Sequence, residues 1–165
     1  DLMTVRNRTI ATLLLFAASF TLVACAAKPP EDVEIKGSIE AVAEVNPDSL
    51  GRPSPLQIKI FQLAAKDKFE AADYFALADS SEATLGADML GVQAMMLTPG
   101  ERRPYEGEFD PGTRFIGVIA GYREIHQAQW RAIVEMPEKS LMKMMKRGGV
   151  NIKADSLAIS VTVDD

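Results

Sequence analysis

Residues 33–45 have the sequence VEIKGSIEAVAEV, and this stretch decides the fold. From Val33 to Val45 the odd positions are apolar apart from Gly37, whereas the even positions carry side chains such as Glu34 and Lys36. Successive side chains of a β-strand point to opposite faces, so this alternation predicts a strand with one buried and one solvated face. The domain is therefore expected to begin with a long, half-buried strand.

The same alternation recurs along the rest of the chain. It appears at 56–60 and slips in phase at Ile60 and Phe61, which indicates either a bulge or a place where both faces of the strand are covered. Further strands are predicted at 90–97, 102–109, 115–122, 130–136, 150–154 and 157–163. The pattern thus predicts eight strands.

The connections between these strands indicate how they pair. Residues 98–100, 110–112 and 153–156 are short and rich in turn-forming residues, which is typical of antiparallel neighbours. Residues 66–89 differ: Phe69, Ala72, Phe75 and Ala76 recur there at helical spacing, and Ser80 or Ser81 is a candidate helix cap. We predict a mainly β domain over 33–165, an eight-stranded antiparallel β-sandwich with a small helical insertion at about 66–89.

The composition excludes several classes of function. The chain has 165 residues, 47% hydrophobic and 25% charged, which is ordinary for one globular domain. Its formal net charge of −5 has the wrong sign for the phosphate contacts that dominate nucleic-acid binding, so we expect no nucleic-acid partner. One Cys and one His leave no internal disulfide and no multi-Cys or two-His metal site. We therefore expect no metal and no other cofactor.

No catalytic arrangement emerges from the sequence. His126, the only histidine, lies between two predicted strands, where a solvated hairpin position is the simplest interpretation. The carboxylates are scattered and form no recognisable acid and base pair. We expect that the protein is not an enzyme.

The first 27 residues do not fit the β pattern. Residues 9–27 are uncharged and follow Arg6 and Arg8, as in membrane-directed segments. A cleaved secretory signal, a permanent single-span anchor and a lipoprotein signal are the three alternatives. Leu22-Val23-Ala24-Cys25 resembles the bacterial lipobox, and it contains the only cysteine of the chain. This coincidence favours the third alternative, in which residues 1–24 are a lipoprotein signal peptide.

Under this interpretation, translation starts at Met3 and the mature chain begins at Cys25, which carries a covalent lipid. Residues 25–32 form a short polar tether that Pro29 and Pro30 stiffen. In bacteria with the usual lipoprotein sorting, an Asp after the acylated Cys favours retention in the inner membrane, and Ala26 stands there instead. We therefore expect the lipid to anchor the protein at the periplasmic face of the outer membrane.

Residues 46–55 form an unusually long connection between two well-patterned strands, because two to five residues would close a hairpin. Three prolines stiffen the segment, and Leu50 is its only bulky apolar residue, which we expect to be exposed. These features favour a recognition loop over a loop that merely protects a sheet edge. The candidate partner-binding residues are Asn46, Pro47, Asp48, Ser49, Leu50, Gly51, Arg52, Pro53, Ser54 and Pro55.

A second unusual stretch is 141–147, which mixes methionines with cations. It fits either a short amphipathic segment that contacts lipid or a partner, or an irregular connection whose methionines fill gaps in the core. The second interpretation is the simpler one.

Several of these segments together resemble the type VI secretion lipoprotein family, TssJ (SciN/VasD), in order from the lipobox to Trp130. The matching pieces are Asn46-Pro47-Asp48, Gly51-Arg52-Pro53-Ser54-Pro55, Ile58-Lys59-Ile60-Phe61-Gln62-Leu63, Phe69, Ala72-Asp73-Tyr74-Phe75, Leu97-Thr98-Pro99-Gly100-Glu101, Phe115-Ile116-Gly117-Val118-Ile119-Ala120, Tyr122-Arg123 and Trp130-Arg131.

This resemblance implies a transthyretin-like β-sandwich held by acyl chains in the inner leaflet of the outer membrane. It implies binding to the C-terminal periplasmic region of the IcmF-like inner-membrane protein TssM, and, with TssL, a membrane complex that docks a contractile injection apparatus. The loop at 46–55 matches the family's partner-binding element. The alternative is a periplasmic lipoprotein enzyme or small-ligand carrier on the same fold, which a deep apolar pocket with converging polar groups would favour.

Overall fold

The computed structural model describes residues 32–136 and 149–164. Its strands are β1 (Val33–Ala41), β2 (Leu56–Leu63), β3 (Met89–Leu97), β4 (Arg102–Phe109), β5 (Phe115–Ala120), β6 (Arg131–Glu135), β7 (Val150–Ala154) and β8 (Ile159–Val163). The helices between β2 and β3 are α1 (Asp67–Ala71), α2 (Tyr74–Asp79), α3 (Ser81–Leu85) and a 3₁₀ turn at Gly86–Asp88. The predicted signal peptide, most of the tether and the methionine-rich stretch lie outside the described residues.

The strands form two four-stranded sheets, in the orders β4-β1-β7-β8 and β3-β2-β5-β6. This confirms the predicted mainly β sandwich. The prediction of antiparallel pairing fails for one pair, because β1 and β7 run parallel, with Gly37 opposite Val150. Short turns dictate antiparallel pairing only between consecutive strands, and β7 reaches β1 from the far end of the sequence.

The main core lies between the two sheets, as the alternation in 33–45 predicts. β1 contributes Ile35 and Ile39, and β2 contributes Ile58 and Ile60, all at most 1% exposed. Other large side chains on the two inner sheet faces are Leu56, Leu97, Phe109, Ile116, Val118, Val150 and Ile152. Each such side chain stabilises the fold by about 1.5–3 kcal/mol through its removal from water.

A second core lies on the outer face of the β3-β2-β5-β6 sheet, under the helices. Phe61 points into it, while its neighbour Ile60 points into the main core, and both are buried. This explains the phase slip at Ile60 and Phe61: both faces of β2 are covered. The ladder to β3 has a separate irregularity between Gln62 and Leu63.

The helical insertion is confirmed, but its capping differs from the prediction. Asp73 caps α2, because its carboxylate accepts a hydrogen bond of 2.9 Å from the Ala76 amide. Ser80 occupies the cap position of α3 without a capping side-chain hydrogen bond. The guanidinium of Arg131 donates to the carbonyls of Phe69 and Ala72, both at 2.9 Å, and so fastens the end of α1 to the sheet.

The first strand is shorter than predicted, since it ends at Ala41. A turn follows in which the Val45 amide donates to the Val42 carbonyl, and Val42 itself bonds Ala154 and Gly100. Val45 is fully buried, so its apolar character reflects core packing after the turn and not a continuing strand. The other predicted strands are confirmed, with some ends shifted.

The sandwich has two distinct ends. The connections β1–β2, β3–β4, β5–β6 and β7–β8 all lie at one end, here called the loop end. β1 begins with Val33, opposite Phe109, at the other end, here called the base. The nine residues of β1 therefore separate base from loop end by about 30 Å.

Substitution of Gly117 should test how tightly the helical layer packs. A Cβ atom added at Gly117 would lie 2.5 Å from Cζ of Phe69, whose ring is fully buried on the strand. We expect Gly117→Ala to lower the free energy of unfolding by about 1–3 kcal/mol, the usual cost of overpacking. Chemical denaturation measures the change. Phe69→Leu added to Gly117→Ala should recover part of the loss, and a fully stable Gly117→Ala variant would contradict this packing.

Candidate functional site

The loop at 46–55 lies at the loop end and is closed at its neck by two hydrogen bonds. The Ser54 amide donates to the Val45 carbonyl at 3.1 Å. The side-chain amide of Asn46 donates to the Pro55 carbonyl at 2.7 Å. The segment is therefore a compact surface loop whose ends meet, and not an extended linker.

Asn46 joins this loop to two other connections. Its backbone amide donates to the Ser156 carbonyl at 3.0 Å, in the β7–β8 turn. Its side-chain oxygen accepts from the Arg123 amide at 2.8 Å, in the β5–β6 connection. Asn46 has a positive φ of 52° and is 3% exposed. Asn adopts positive φ more readily than most residues and has donor and acceptor groups on one side chain.

The outer half of the loop is braced by Asp48 and Arg52. The Asp48 amide donates to the Arg52 carbonyl at 2.9 Å, and the Gly51 amide donates to the Asp48 carbonyl at 2.8 Å. The Asp48 carboxylate accepts from the amides of Leu50 and Arg52 at 2.9 and 3.0 Å. Two nitrogens of the Arg52 guanidinium also lie 2.8 Å from Oδ2 of Asp48. Six contacts thus fix a segment of five residues.

The brace persists over the whole neutral range of pH. The Arg52 amide and guanidinium, as donors to the carboxylate, hold the pKa of Asp48 below its ordinary value of 3.8. A carboxylate with a lowered pKa in the folded state stabilises that state above its ordinary pKa. The contribution is lost only as the pH falls through the lowered pKa, so the loop keeps this contact at pH values near neutrality.

Leu50 stands at the tip of the braced loop and is 75% exposed, as the sequence predicts. Gly51 follows with a φ of +75°, a conformation that glycine adopts without strain. A large apolar side chain held in water by a rigid turn is available to fill a pocket on another protein. By contrast, Asn46 and Ser54 are buried, so their side chains hold the loop in place.

The β5–β6 connection also holds this loop in place, and the sequence pattern does not reveal this support. Tyr122 is 4% exposed and donates from its hydroxyl to the Asp155 carbonyl at 3.0 Å. Burial raises the pKa of Tyr122, so the hydroxyl keeps its proton and remains a donor. The next residue, Arg123, bonds Asn46 through its backbone amide. No local sequence pattern signals this junction, beyond the general ability of Asn to occupy a left-handed turn position.

The described residues contain no other arrangement that suggests chemistry. No group of three or more Cys, His, Asp or Glu lies together as a metal site within 32–136 and 149–164. His126 is exposed in the β5–β6 connection. Two grooves beside β4, of about 310 and 470 Å³, are open and not the deep apolar pocket that the carrier hypothesis requires. No helix among the described residues is long and apolar enough to cross a membrane.

Comparison with known proteins adds a family and a fold. A family model described as type VI secretion lipoprotein, VasD, EvfM, TssJ matches residues 33–164. The T6SS lipoprotein TssJ1 from Pseudomonas aeruginosa has 29% sequence identity and a TM-score of 0.72, over 82% of this chain and 98% of that chain. The comparison with curated proteins gives no match.

Two further solved structures are similar in fold. Lip from Serratia marcescens, a membrane-bound component of the type VI secretion system, has 24% identity and a TM-score of 0.69, over 81% of this chain and 99% of that chain. A chain in a structure described as a type VI membrane complex has 23% identity and a TM-score of 0.67, over 79% of this chain and 98% of that chain. These matches confirm the sandwich predicted from the sequence.

Replacement of Asn46 should show how far the loop depends on one amide. Asn46→Ala leaves the Pro55 carbonyl and the Arg123 amide without their partner, so we expect a loss of about 2 kcal/mol or more in the free energy of unfolding. Asn46→Gly, the control, relieves the strain of a positive φ and should be about 1 kcal/mol more stable than Asn46→Ala. Urea denaturation measures both. Wild-type stability of Asn46→Gly would contradict a role for the amide.

Proposed function

The chain belongs to the type VI secretion lipoprotein family, and from this premise we propose that it is an outer-membrane-anchored periplasmic protein that binds an inner-membrane partner. The proposed partner is the C-terminal periplasmic region of a TssM/IcmF-like protein, and TssL is engaged indirectly through it. The protein acts as an assembly component of the secretion membrane complex and not as an enzyme. Its covalent lipid on Cys25 is the proposed anchor.

The observation that carries this proposal is the exposed Leu50 on a loop that is already rigid. Interfaces gain most of their free energy from a few apolar or aromatic anchors that fill pockets on the partner. A loop held by the Asp48–Arg52 brace and the Asn46 neck loses little conformational freedom on docking. Both properties favour tight binding through a small contact.

The placement of the loop supports the proposed membrane geometry. The chain enters the sandwich at the base with Val33, and the loop stands at the opposite end, about 30 Å away. A lipid on Cys25 would hold the base toward the outer membrane. The loop would then point into the periplasm, from which the inner-membrane partner approaches.

The comparison with other structures agrees with an assembly role. The solved structure described as a type VI membrane complex contains a chain of this fold. We include membership of such a complex in the proposal for the present protein. The family resemblance of residues 46–55 supports it.

Leu50→Asp should weaken binding to the periplasmic region of the TssM-like protein from the same bacterium. Loss of an anchor costs about 2 kcal/mol or more, which is roughly thirtyfold in the dissociation constant. Because Leu50 is exposed, the melting temperature should barely change. Calorimetric titration of the full chain, together with a melting curve, measures both quantities.

Phe75→Asp is the matched control, since Phe75 is 61% exposed on α2, outside the loop. It should bind the partner as tightly as the unaltered protein. Unchanged affinity in a folded Leu50→Asp variant would remove the loop from the interface.

Cys25→Ser should abolish the lipid anchor, because Cys25 is the sole cysteine. We expect no incorporation of labelled palmitate and an unprocessed precursor. A single acyl chain holds a protein only marginally to a bilayer, and lipoproteins depend on several. Label that persists in the Cys25→Ser protein would disprove the lipoprotein assignment.

A further inference from the structure

β3 is an edge strand whose part from Gly91 to Leu97 lacks the usual protection against pairing, since the irregularity of its ladder to β2 lies at the base end, between Met89 and Gly91. Its sequence, MLGVQAMML, contains no charge and no proline over nine residues. It lies at the end of its sheet, with β2 on one side. Edge strands normally carry charges, prolines or bulges that prevent the addition of another strand. β4, the edge strand of the other sheet on this side, has these features, with Pro104 and four charged residues.

The register shows which backbone groups of β3 are free. The Gly121 amide bonds the Gln57 carbonyl and the Arg114 amide bonds the Leu63 carbonyl, so odd positions of β2 direct their backbone groups toward β5. Even positions of β2 therefore bond β3, at Gly91, Gln93, Met95 and Leu97. The N–H and C=O groups of Val92, Ala94 and Met96 consequently point to the open edge.

The same residues present apolar side chains to solvent. Val92 and Met96 are 44% and 54% exposed, and Leu90 is 36% exposed. Val92 lies opposite Phe61, on the sheet face that the helices cover over β2 but leave open over β3. Free backbone groups and exposed apolar side chains thus coincide on one strand.

A groove runs along this edge, between β3 and β4. It has a volume of about 310 Å³ and is lined by Gly91 to Gln93 on one side and Tyr105 to Phe109 on the other. Glu106 and Glu108 stand on the β4 side, with Glu34 beside them, and Nζ of Lys36 lies 3.7 Å from the carboxylates of Glu34 and Glu106. An extended segment seated on β3 would have this acidic cluster at its base end.

The edge is continuous with the candidate partner loop. β3 leads into the β3–β4 turn, where the Gly100 amide donates to the Val42 carbonyl at 3.1 Å. Val42 belongs to the turn that precedes Asn46. A partner seated on Leu50 therefore has a direct path along β3.

We propose that β3 pairs with an extended segment of the partner that takes up Leu50, so that the partner adds a strand to this sheet. The inference rests on the proposed function, because it assigns a second contact to the same partner. The chemistry of the edge specifies the segment: apolar side chains at alternate positions to cover Val92 and Met96, and a Lys or Arg toward Glu108. Main-chain hydrogen bonds supply the affinity of such strand addition, and side chains supply the specificity.

A second copy of this chain fits the edge less well. Antiparallel pairing of two β3 strands about a two-fold axis turns one copy end over end, so the two bases, each starting at Val33, would lie at opposite ends of the dimer. Both lipid attachments must reach the same membrane, which that arrangement opposes. A partner segment has no such constraint.

Hydrogen exchange of the full chain, with and without the TssM-like periplasmic region, tests the pairing directly. The amides of Val92, Ala94 and Met96 should exchange fast in the free protein and at least about tenfold slower in the complex. The amides of Gly91, Gln93 and Met95 should be slow in both states, because β2 already bonds them. Unchanged exchange at the three outward amides in the complex would overturn the proposal, as would protection in the free protein that disappears on dilution.

Ala94→Pro supplies an independent test in the same titration. Proline removes an outward N–H and blocks strand addition without the loss of a β2–β3 hydrogen bond. We expect affinity to fall at least about tenfold, the scale of a few lost interface hydrogen bonds. Ala94→Ser, which keeps the N–H, should bind within about twofold of the unaltered protein. Equal melting temperatures of the two variants exclude misfolding as the cause.

The outcomes separate this inference from the proposed function. If Leu50→Asp weakens binding while Ala94→Pro and the exchange pattern are without effect, the edge is not part of the interface and the loop assignment stands. If the unaltered protein does not bind the periplasmic region, both assignments fall.

Discussion

The buried amide of Asn46 is the constraint on which the loop end of this protein depends. A buried amide group that lacks partners costs free energy, so its donor and acceptor must both be satisfied. At Asn46 they are satisfied by Pro55, at the other end of the same loop, and by Arg123 in the β5–β6 connection, while the backbone amide bonds Ser156 in the β7–β8 turn. Three loops that could move independently are thereby held as one unit. This junction thereby fixes the position of the exposed Leu50.

The helical layer has a comparable role for the sheet beneath it. β5 is buried along its whole length, with one face in the main core and the other under the helices. Arg131 fastens α1 through two carbonyls, and its guanidinium lies 4.8 Å from the ring of Trp130. The insertion therefore covers β2 and β5 firmly. It ends before β3, which explains why apolar residues such as Val92 remain in contact with water.

The strands were predictable because their signal is local, whereas the junctions were not. Alternation around Ile35 and Ile39 places a strand correctly, since side-chain direction follows from the backbone alone. The exposure of Leu50 was predictable for the same reason, because it falls between the patterned segments. The parallel pairing of Gly37 with Val150, and the bond between Asn46 and Arg123, connect residues far apart in sequence. No short-range pattern encodes them.

The parallel pairing of β1 with β7 has a consequence for the folding of the newly synthesised chain. β1 is the first strand among the described residues, yet one of its two neighbours is β7, which begins at Val150, so the sheet cannot close until the chain has been made as far as β7. Contacts of such long sequence separation slow folding, because a large loop must close before the contact forms. Under the proposed export as a lipoprotein, the chain would cross the inner membrane unfolded and amino terminus first, and it would gain from this delay. The topology would keep the polypeptide unfolded until β7 and β8 have emerged.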